Sequence, residues 1–521
     1  MKKIYFALGI FILILTSCFD DLGNYDYREI NEVSILGVDD SYRVEYPDGL
    51  LKIEPELESS LNDFSSDRYS FEWKAVQSSP GTDSYIIGTE KILNTNNSGL
   101  LPGSYNLYFK VLDKETDLIW KKHTYLNIAT TTARGFLLMG NNKEGYMQLE
   151  MLKMVAGQDT SVATDLLRNS NLPPIKNGRD VMFTGATSNK ERTKLWVMAE
   201  NESYYVDRTT FEAEPYNTFR PLVFSMYEKL PDHLTVTGVE PRVSSLGGTS
   251  AGNTKRAIST KEGYVFYASN LILGDLYGNP VNRTDPNSEE YFKASPYLML
   301  SMVYWRNLLI FDEDNKRFTY VGSFDTHART LADGPSDPFP WNQGDTGRDL
   351  VFAQNTKSKL NGAAYGITFA LMKDNNPDFH IYMIDTALNR KLGYYAIKND
   401  LAPNLESAVD NKLISFASFR TILFYAHGSN LYYYDYNKGN EKGGLLKSFD
   451  GDEITMVQFD DQTDNNGNRD LYIATKNSDG EGTLRKLVIG VNVDVIDYEI
   501  EDNTEWTGLS AIVKMDWRNF E

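Results

Sequence analysis

Apolar and aromatic residues in this chain fall into short runs, each followed by a polar turn and a second run. The plainest case is Ile422–Tyr436, ILFYAHGSNLYYYDY. β-Branched and aromatic side chains favour a pleated, half-buried surface, and Gly428-Ser429-Asn430 supplies a turn, so this stretch predicts a β-hairpin. Comparable units begin near Phe136, Leu195, Tyr264, Leu308, His380 and Leu471, and they lie between 43 and 72 residues apart. A four-stranded propeller blade with its loops needs roughly 40–50 residues. Residues 130–521 therefore read as a divergent β-propeller of seven blades. The Tyr264 unit is weak enough to leave six or eight blades open, and a pair of β-sandwiches is the competing architecture. A 3.6-residue apolar period is absent over any long span, and Thr164–Arg168 and Leu222–Leu230 are the best short helix candidates.

The part before residue 130 has a different rhythm. Asn31–Val38, Tyr69–Val76, Tyr105–Leu112 and Ile119–Ile128 alternate as strands, with Phe71 and Trp73 on one face of the second. Pro47-Asp48-Gly49, Ser79-Pro80-Gly81 and Leu101-Pro102-Gly103 separate them. Short alternating strands over this length predict an all-β sandwich across residues 32–128.

At its start the chain carries Lys2 and Lys3, then the apolar run Ile4–Leu15. As a helix this run would span roughly 18 Å, short of a bilayer core of about 30 Å. It reads as a signal segment, not a membrane span. Leu15-Thr16-Ser17-Cys18 follows and looks like a bacterial lipobox. On this reading residues 1–17 are removed, Cys18 carries the lipid and residues 18–31 form a tether. Two or more acyl chains anchor stably where one binds marginally. Cys18 is the single cysteine, so an exported form has no internal disulfide and relies on its cores.

The net charge of −20 argues against nucleic acid, because phosphate recognition needs clustered Lys and Arg. It fits a solvated surface outside the cytoplasm.

Pro102-Gly103-Ser104-Tyr105-Asn106-Leu107-Tyr108-Phe109-Lys110-Val111 resembles the characteristic strand of PKD-type Ig-like domains, and Phe71-Glu72-Trp73 resembles their central strand. With the lipobox and the segment Cys18–Tyr27, the chain resembles the PKD-like family lipoproteins. That resemblance covers roughly residues 15–128. It implies an outer-membrane lipoprotein, often associated with a SusC/SusD-like TonB-dependent importer. Asp20-Asp21 resembles the surface-export signal of such lipoproteins, which implies exposure at the cell surface. Carry-over to single residues stops at Cys18.

Chemistry is harder to find. Gly248-Thr249-Ser250-Ala251-Gly252 matches G-x-S-x-G, but its surroundings are small and polar, whereas a nucleophile elbow needs a strand before it and a helix after it. Asp464–Leu471 looks like a degraded calcium loop. Asn468 and Arg469 stand where an acidic residue and a glycine are expected, so an Asx-rich hairpin is favoured over a single calcium ion. The five histidines lack metal-ligand spacing. No catalytic residue, metal ligand or cofactor is assigned from the sequence. Two long insertions, Gly274–Pro296 and Asp325–Arg348, are the candidate ligand surface, because long loops on rigid scaffolds commonly carry function. Trp341, Phe339, Tyr277 and Tyr291 offer aromatic faces, and His327 and Arg329 offer hydrogen-bond donors. The expectation is a non-catalytic surface protein that binds a glycan or peptide, or docks on the importer. The alternative is a propeller hydrolase or lyase acting on a polysaccharide. Raised pKa values on two or three buried acids at a propeller axis would favour the enzyme.

Overall fold

The computed structural model describes residues 31–519, apart from 47–48, 62–66, 79–82, 97–98, 156–158, 185–193, 243–254, 270–275, 305 and 377. The signal segment, Cys18, Asp20-Asp21 and the Gly248–Gly252 motif lie outside the described residues. The chain divides into two units, residues 1–129 and 130–521.

In the first unit, five strands form one sheet in the order Ser41–Tyr46, Ile119–Thr130, Gly103–Asp113, Tyr69–Gln77, Ser84–Gly88. Val33–Leu36 pairs with Glu56–Ser59, and Leu50–Ile53 pairs with Leu93–Asn96. The alternation seen in sequence has a direct cause. Tyr105, Leu107, Phe109 and Val111 point to one face and are buried, while Asn106, Tyr108 and Lys110 are only half-buried. The buried set meets Val33, Leu51, Ile53 and Leu93 of the small sheets in one core. The Trp73 ring stacks on Phe109 at 4.4 Å. Five strands here escaped sequence reading. They are four to six residues long and mix polar or charged with apolar residues, so their period is too short to register.

The larger unit is propeller-like. Among the described residues it holds seven antiparallel sheets. The first joins Ser161–Ala163, Met147–Lys153, Arg134–Asn141 and, from the far end of the chain, Ala511–Asn519. The other six follow in chain order as meanders. Their leading strands are Gly178–Phe183, Val236–Glu240, Met299–Leu300, Asp349–Asn355, Ile414–Phe416 and Glu453–Phe459. Each core of this unit lies between consecutive sheets. Leu137 and Met139 pack toward the second sheet, whereas Phe136 and Leu138 pack toward the seventh. A strand buried on both faces needs a continuous apolar run, which is why FLLM, LWVM and ILFY do not alternate. Trp196 lies between the second and third sheets and Phe311 between the fourth and fifth, each 1% exposed.

Side chains also tie each sheet to the next. The Phe183 N–H donates to Asp516 at 2.7 Å, and the Val236 N–H donates to the Ser203 hydroxyl at 2.8 Å. Ser259 donates to the Pro296 carbonyl, and the Leu300 N–H donates to Asn355 Oδ1. Gln354 bonds both backbone groups of Phe416. The Phe459 N–H donates to Ser415 Oγ. Gln458 returns to the first sheet through both backbone groups of Met515.

Three sequence expectations need correction. The unit at His380 is the outer hairpin of the fifth sheet, because the second strand, Thr368–Lys373, precedes it. This offset produced the longest spacing. The Tyr264 unit is an outer strand, Val265–Ser269, paired with Lys255–Thr260. Neither helix candidate forms. Thr164–Arg168 leads into a turn at residues 166–169, and Leu222–Leu230 begins on the last residue of a three-residue 3-10 segment that contains Pro221 and then runs on without helix. The α-helix found among the described residues is Leu405–Asp410.

The closing strand should carry a large share of the unit's stability. Trp517 is buried against Phe136, with ring centroids 5.0 Å apart. A Cβ on Gly482 would lie 1.8 Å from the carbonyl oxygen of Ser510, the residue just before this strand, so the backbone leading into it leaves no room for a side chain. Trp517→Ala should cost about 3–5 kcal/mol, and Gly482→Ala should also destabilise. Urea denaturation followed by tryptophan fluorescence measures both; unchanged midpoints would contradict closure as a main source of stability.

Candidate functional site

A cavity of about 690 Å³ lies within the larger unit, and every sheet contributes to its wall through its edge strand or the residues flanking it. These are Gly178–Asp180, Val236–Glu240, Pro296–Leu298, Phe352–Asn355, Ile414–Ser415, Thr455–Phe459 and Val513-Lys514. The volume falls in the range of about 300–1,000 Å³ usual for small-molecule sites.

Arg242 organises one wall. Its guanidinium reaches Asp180 at 2.7 Å, Asp516 at 2.9 Å and Glu240 at 3.6 Å, and donates to the Val181 carbonyl. Burial alone would weaken its proton affinity, but Asp180, Asp516 and Glu240 outweigh burial and keep it charged. The two deeper acids respond the other way. Burial raises Glu240, opposed by Arg242. Burial pushes Asp516 up to about 6, opposed by Arg242 and the Phe183 N–H. A buried pair gains back its desolvation only with good geometry and further hydrogen bonds, both of which are present here.

Asp461 lies elsewhere on the wall. Its Oδ2 accepts from Gln354 Nε2 at 2.9 Å, and its Oδ1 has no hydrogen-bond partner. Burial drives its carboxyl up to about 7, against the hydrogen bond from Gln354 and the nearby Ser418 hydroxyl, and Asp460 adds repulsion. Two lysines complete the picture. Burial and the Arg242 charge lower Lys514; Lys412 is an exposed residue, and burial at its amine end together with the Arg179 charge lowers it. Neither has an ion pair or side-chain hydrogen bond among the described residues. Tyr297 and Phe352 bring half-buried rings to the same cavity, edge to face at 5.7 Å.

None of the six residues expected to bind ligand lines this cavity. Phe339 and Trp341 are each 3% exposed and belong to the core between the fourth and fifth sheets. Phe339 stacks on Tyr382 at 3.9 Å, and Lys391 lies over Trp341 while pairing with Asp333 and Asp337. The insertion is thus pinned down by its aromatics, whose faces are covered by protein. Tyr277 is likewise buried, against Phe219. Tyr291 packs on Tyr227, with Arg283 over its ring. His327 is half-buried, and Arg329 is exposed and paired with Asp325 at 2.6 Å. Of the suspected calcium loop, Asp464 is held by Lys357 and Asp470 by Asn466. No group of three or more His, Cys, Asp or Glu able to hold a metal occurs among the described residues.

The cavity residues had a sequence signal that was easy to overlook. Asp180 in RDVMF, Gln354 in VFAQN and Lys514 and Asp516 in IVKMDW are polar residues inside otherwise apolar strands. Such residues are expensive to bury unless they line a cavity or meet partners.

Asp461 gives a pH-dependent test. In the folded protein it keeps its proton up to about pH 7, whereas unfolded it releases the proton near its ordinary 3.8. Between these values the folded state binds the extra proton, so stability falls as pH rises, and it levels off above about 7. Asp461→Asn removes this dependence. Its stability advantage should grow from pH 4 to 7 and reach on the order of 2–4 kcal/mol at pH 8. Urea midpoints across that range test it; an advantage that does not change with pH would refute the assignment.

Comparison with known proteins reaches the two parts of the chain unequally. No curated protein matches it. The chain is similar to a quinonprotein alcohol dehydrogenase-like protein from Bacteroides thetaiotaomicron VPI-5482, with 12% identity, TM-score 0.44, and 92% of this chain and 97% of that chain covered. A structural genomics protein of unknown function from the same organism gives 9% identity and TM-score 0.25, with 86% and 96% covered. Similarities at this level carry no chemistry across. Residues 18–176 match the PKD-like family, and the N-terminal part of the chain is a PKD-like domain.

Proposed function

We propose that this protein is a lipid-anchored binding protein of the outer membrane, exposed at the cell surface, whose larger unit is a seven-bladed β-propeller that holds a small polar ligand in its central cavity. The observation that carries this reading is the cavity wall, to which all seven sheets contribute. Cyclic packing supports the propeller: the last sheet shares a core with the first, and the strand Ala511–Asn519 completes the first sheet. Lys2-Lys3, the apolar run and Leu15-Thr16-Ser17-Cys18 support the anchor, and Asp20-Asp21 supports surface exposure. The PKD-like domain, next to the tether in sequence, serves as a spacer. The resemblance to PKD-like family lipoproteins supports a SusC/SusD-like importer as the partner that receives the ligand, a glycan or a peptide.

A hydrolase or lyase is the second reading. It draws on the half-buried Glu240 and the buried Asp461 and Asp516, three carboxyls held above their ordinary range. Arg242 engages Glu240 and Asp516, which favours a structural role for those two and binding over catalysis. Turnover of a polysaccharide that is lost in Asp461→Asn would reverse that preference.

Two experiments test the main reading. Cys18→Ala should move the protein from the membrane fraction to the soluble fraction and abolish lipid labelling; retention in the membrane would exclude the anchor. For the cavity, Asn411 lines the wall and is exposed, so Asn411→Trp should obstruct it with little loss of stability. Saccharides and short peptides that raise the melting temperature of the wild type should then fail to raise that of the variant. Equal shifts in both proteins would place the ligand elsewhere.

A further inference from the structure

Resting on the reading of the cavity as the ligand site, we infer that its ligand is an anionic sugar, with the acidic group held by the Lys412 and Lys514 ammoniums and the ring lying against Tyr297 and Phe352.

The whole chain carries −20, yet the cavity wall holds six Lys and Arg against six Asp and Glu. The wall is therefore balanced in charge where the chain as a whole is acidic, so an anion meets less repulsion there than over the rest of the surface. Pairing then decides which charges are free. Arg242 is committed to Asp180 and Asp516, Arg179 to Glu200 at 2.8 Å, and Lys293 to Glu313 at 2.8 Å. Lys261 donates to the Asn201 side chain and the Glu200 carbonyl. Lys412 and Lys514 remain, without an ion pair or side-chain hydrogen bond among the described residues.

These two lysines share a wall. Asp180 attracts both, Glu240 and Asp516 also attract Lys514, and Arg179 and Arg242 repel Lys412 and Lys514 in turn. Neither ammonium closes an ion pair with those acids, so each keeps donors for an anion that enters the cavity. Because the guanidinium forks are occupied, recognition falls to point charges, which accept carboxylate or sulfate alike.

The remaining groups suit a sugar ring. Tyr297 and Phe352 present partly exposed aromatic faces, and such faces meet the apolar side of a pyranose with little loss of side-chain entropy. Asp461 Oδ1, buried and without a partner, is the kind of group that a ligand hydroxyl completes. A buried polar atom left unpaired costs roughly 1–3 kcal/mol, so a hydroxyl donor at that position adds both affinity and orientation.

Calorimetric titration of the mature chain tests this with four probes: D-glucuronate, D-galacturonate, glucose 6-sulfate and D-glucose. At least one anionic sugar should bind at least tenfold tighter than glucose, and binding should weaken with added salt. Comparing the uronates with the sulfate separates a carboxylate ligand from a sulfated one. Lys412→Met and Lys514→Met keep the aliphatic stem and should each weaken that binding about tenfold or more, while Arg329→Met, outside the cavity, should not. Glucose binding as tightly as the acids, unaltered affinity in both lysine variants, or no binding by any acid overturns the anionic assignment. The cavity reading fails separately, if a bound acid keeps its affinity in Asn411→Trp.

Discussion

The larger unit depends on one pairing across nearly its whole length: Arg134–Asn141 lies beside Ala511–Asn519. Each sheet of this unit is too small to bury both its faces alone, so each must pack on two neighbours. A linear stack would leave the outer faces of the first and seventh sheets in water. The shared sheet removes both ends at once, since Phe136, Leu138, Ile512 and Trp517 meet Tyr472 and Leu484 of the seventh sheet. Closing so long a loop is entropically costly, but the cost grows only slowly with length, whereas the apolar area gained is a complete inter-sheet core.

That same closure brings the charged wall together. Asp516 and Lys514 lie on the closing strand, Asp180 on the second sheet, and Glu240 and Arg242 at and just beyond the end of the leading strand of the third. Arg242 bridges all three elements. Deleting one partner would strand the others in a desolvated wall, so the network is better placed to fix how sheets meet than to react with a ligand. Lys412, Lys514 and Asp461 differ in having valence left over. Satisfied groups thus brace the wall, while groups without a partner line the same cavity.

The long insertions illustrate the opposite outcome. Phe339-Pro340-Trp341 has the composition of a binding loop, and aromatic content alone cannot distinguish a ring that waits for a ligand from one that already has its partner. Here Tyr382, Phe318 and Lys391 cover the rings. The insertion fills the space between the fourth and fifth sheets, where the leading strand Met299–Leu300 is only two residues long.

By itself the sequence determined the all-β character, the PKD-like strands and the recurrence of hairpins such as ILFYAHGSNLYYYDY, because side-chain period and turn chemistry are local properties. It also carried Leu15-Thr16-Ser17-Cys18, whose resemblance to a lipobox rests on composition and order. It did not reveal which strands share a sheet at the ends of the chain, since Arg134–Asn141 and Ala511–Asn519 are far apart in sequence and nothing local in either specifies the other. Nor did it identify the cavity. Asp180, Gln354, Lys412, Asp461 and Lys514 come from separate strands and loops, each with an unremarkable polar residue. They become a site because the sheets pack in succession and turn their edges toward one space, where a charge that would be solvated on a free strand must find a partner or remain available for one.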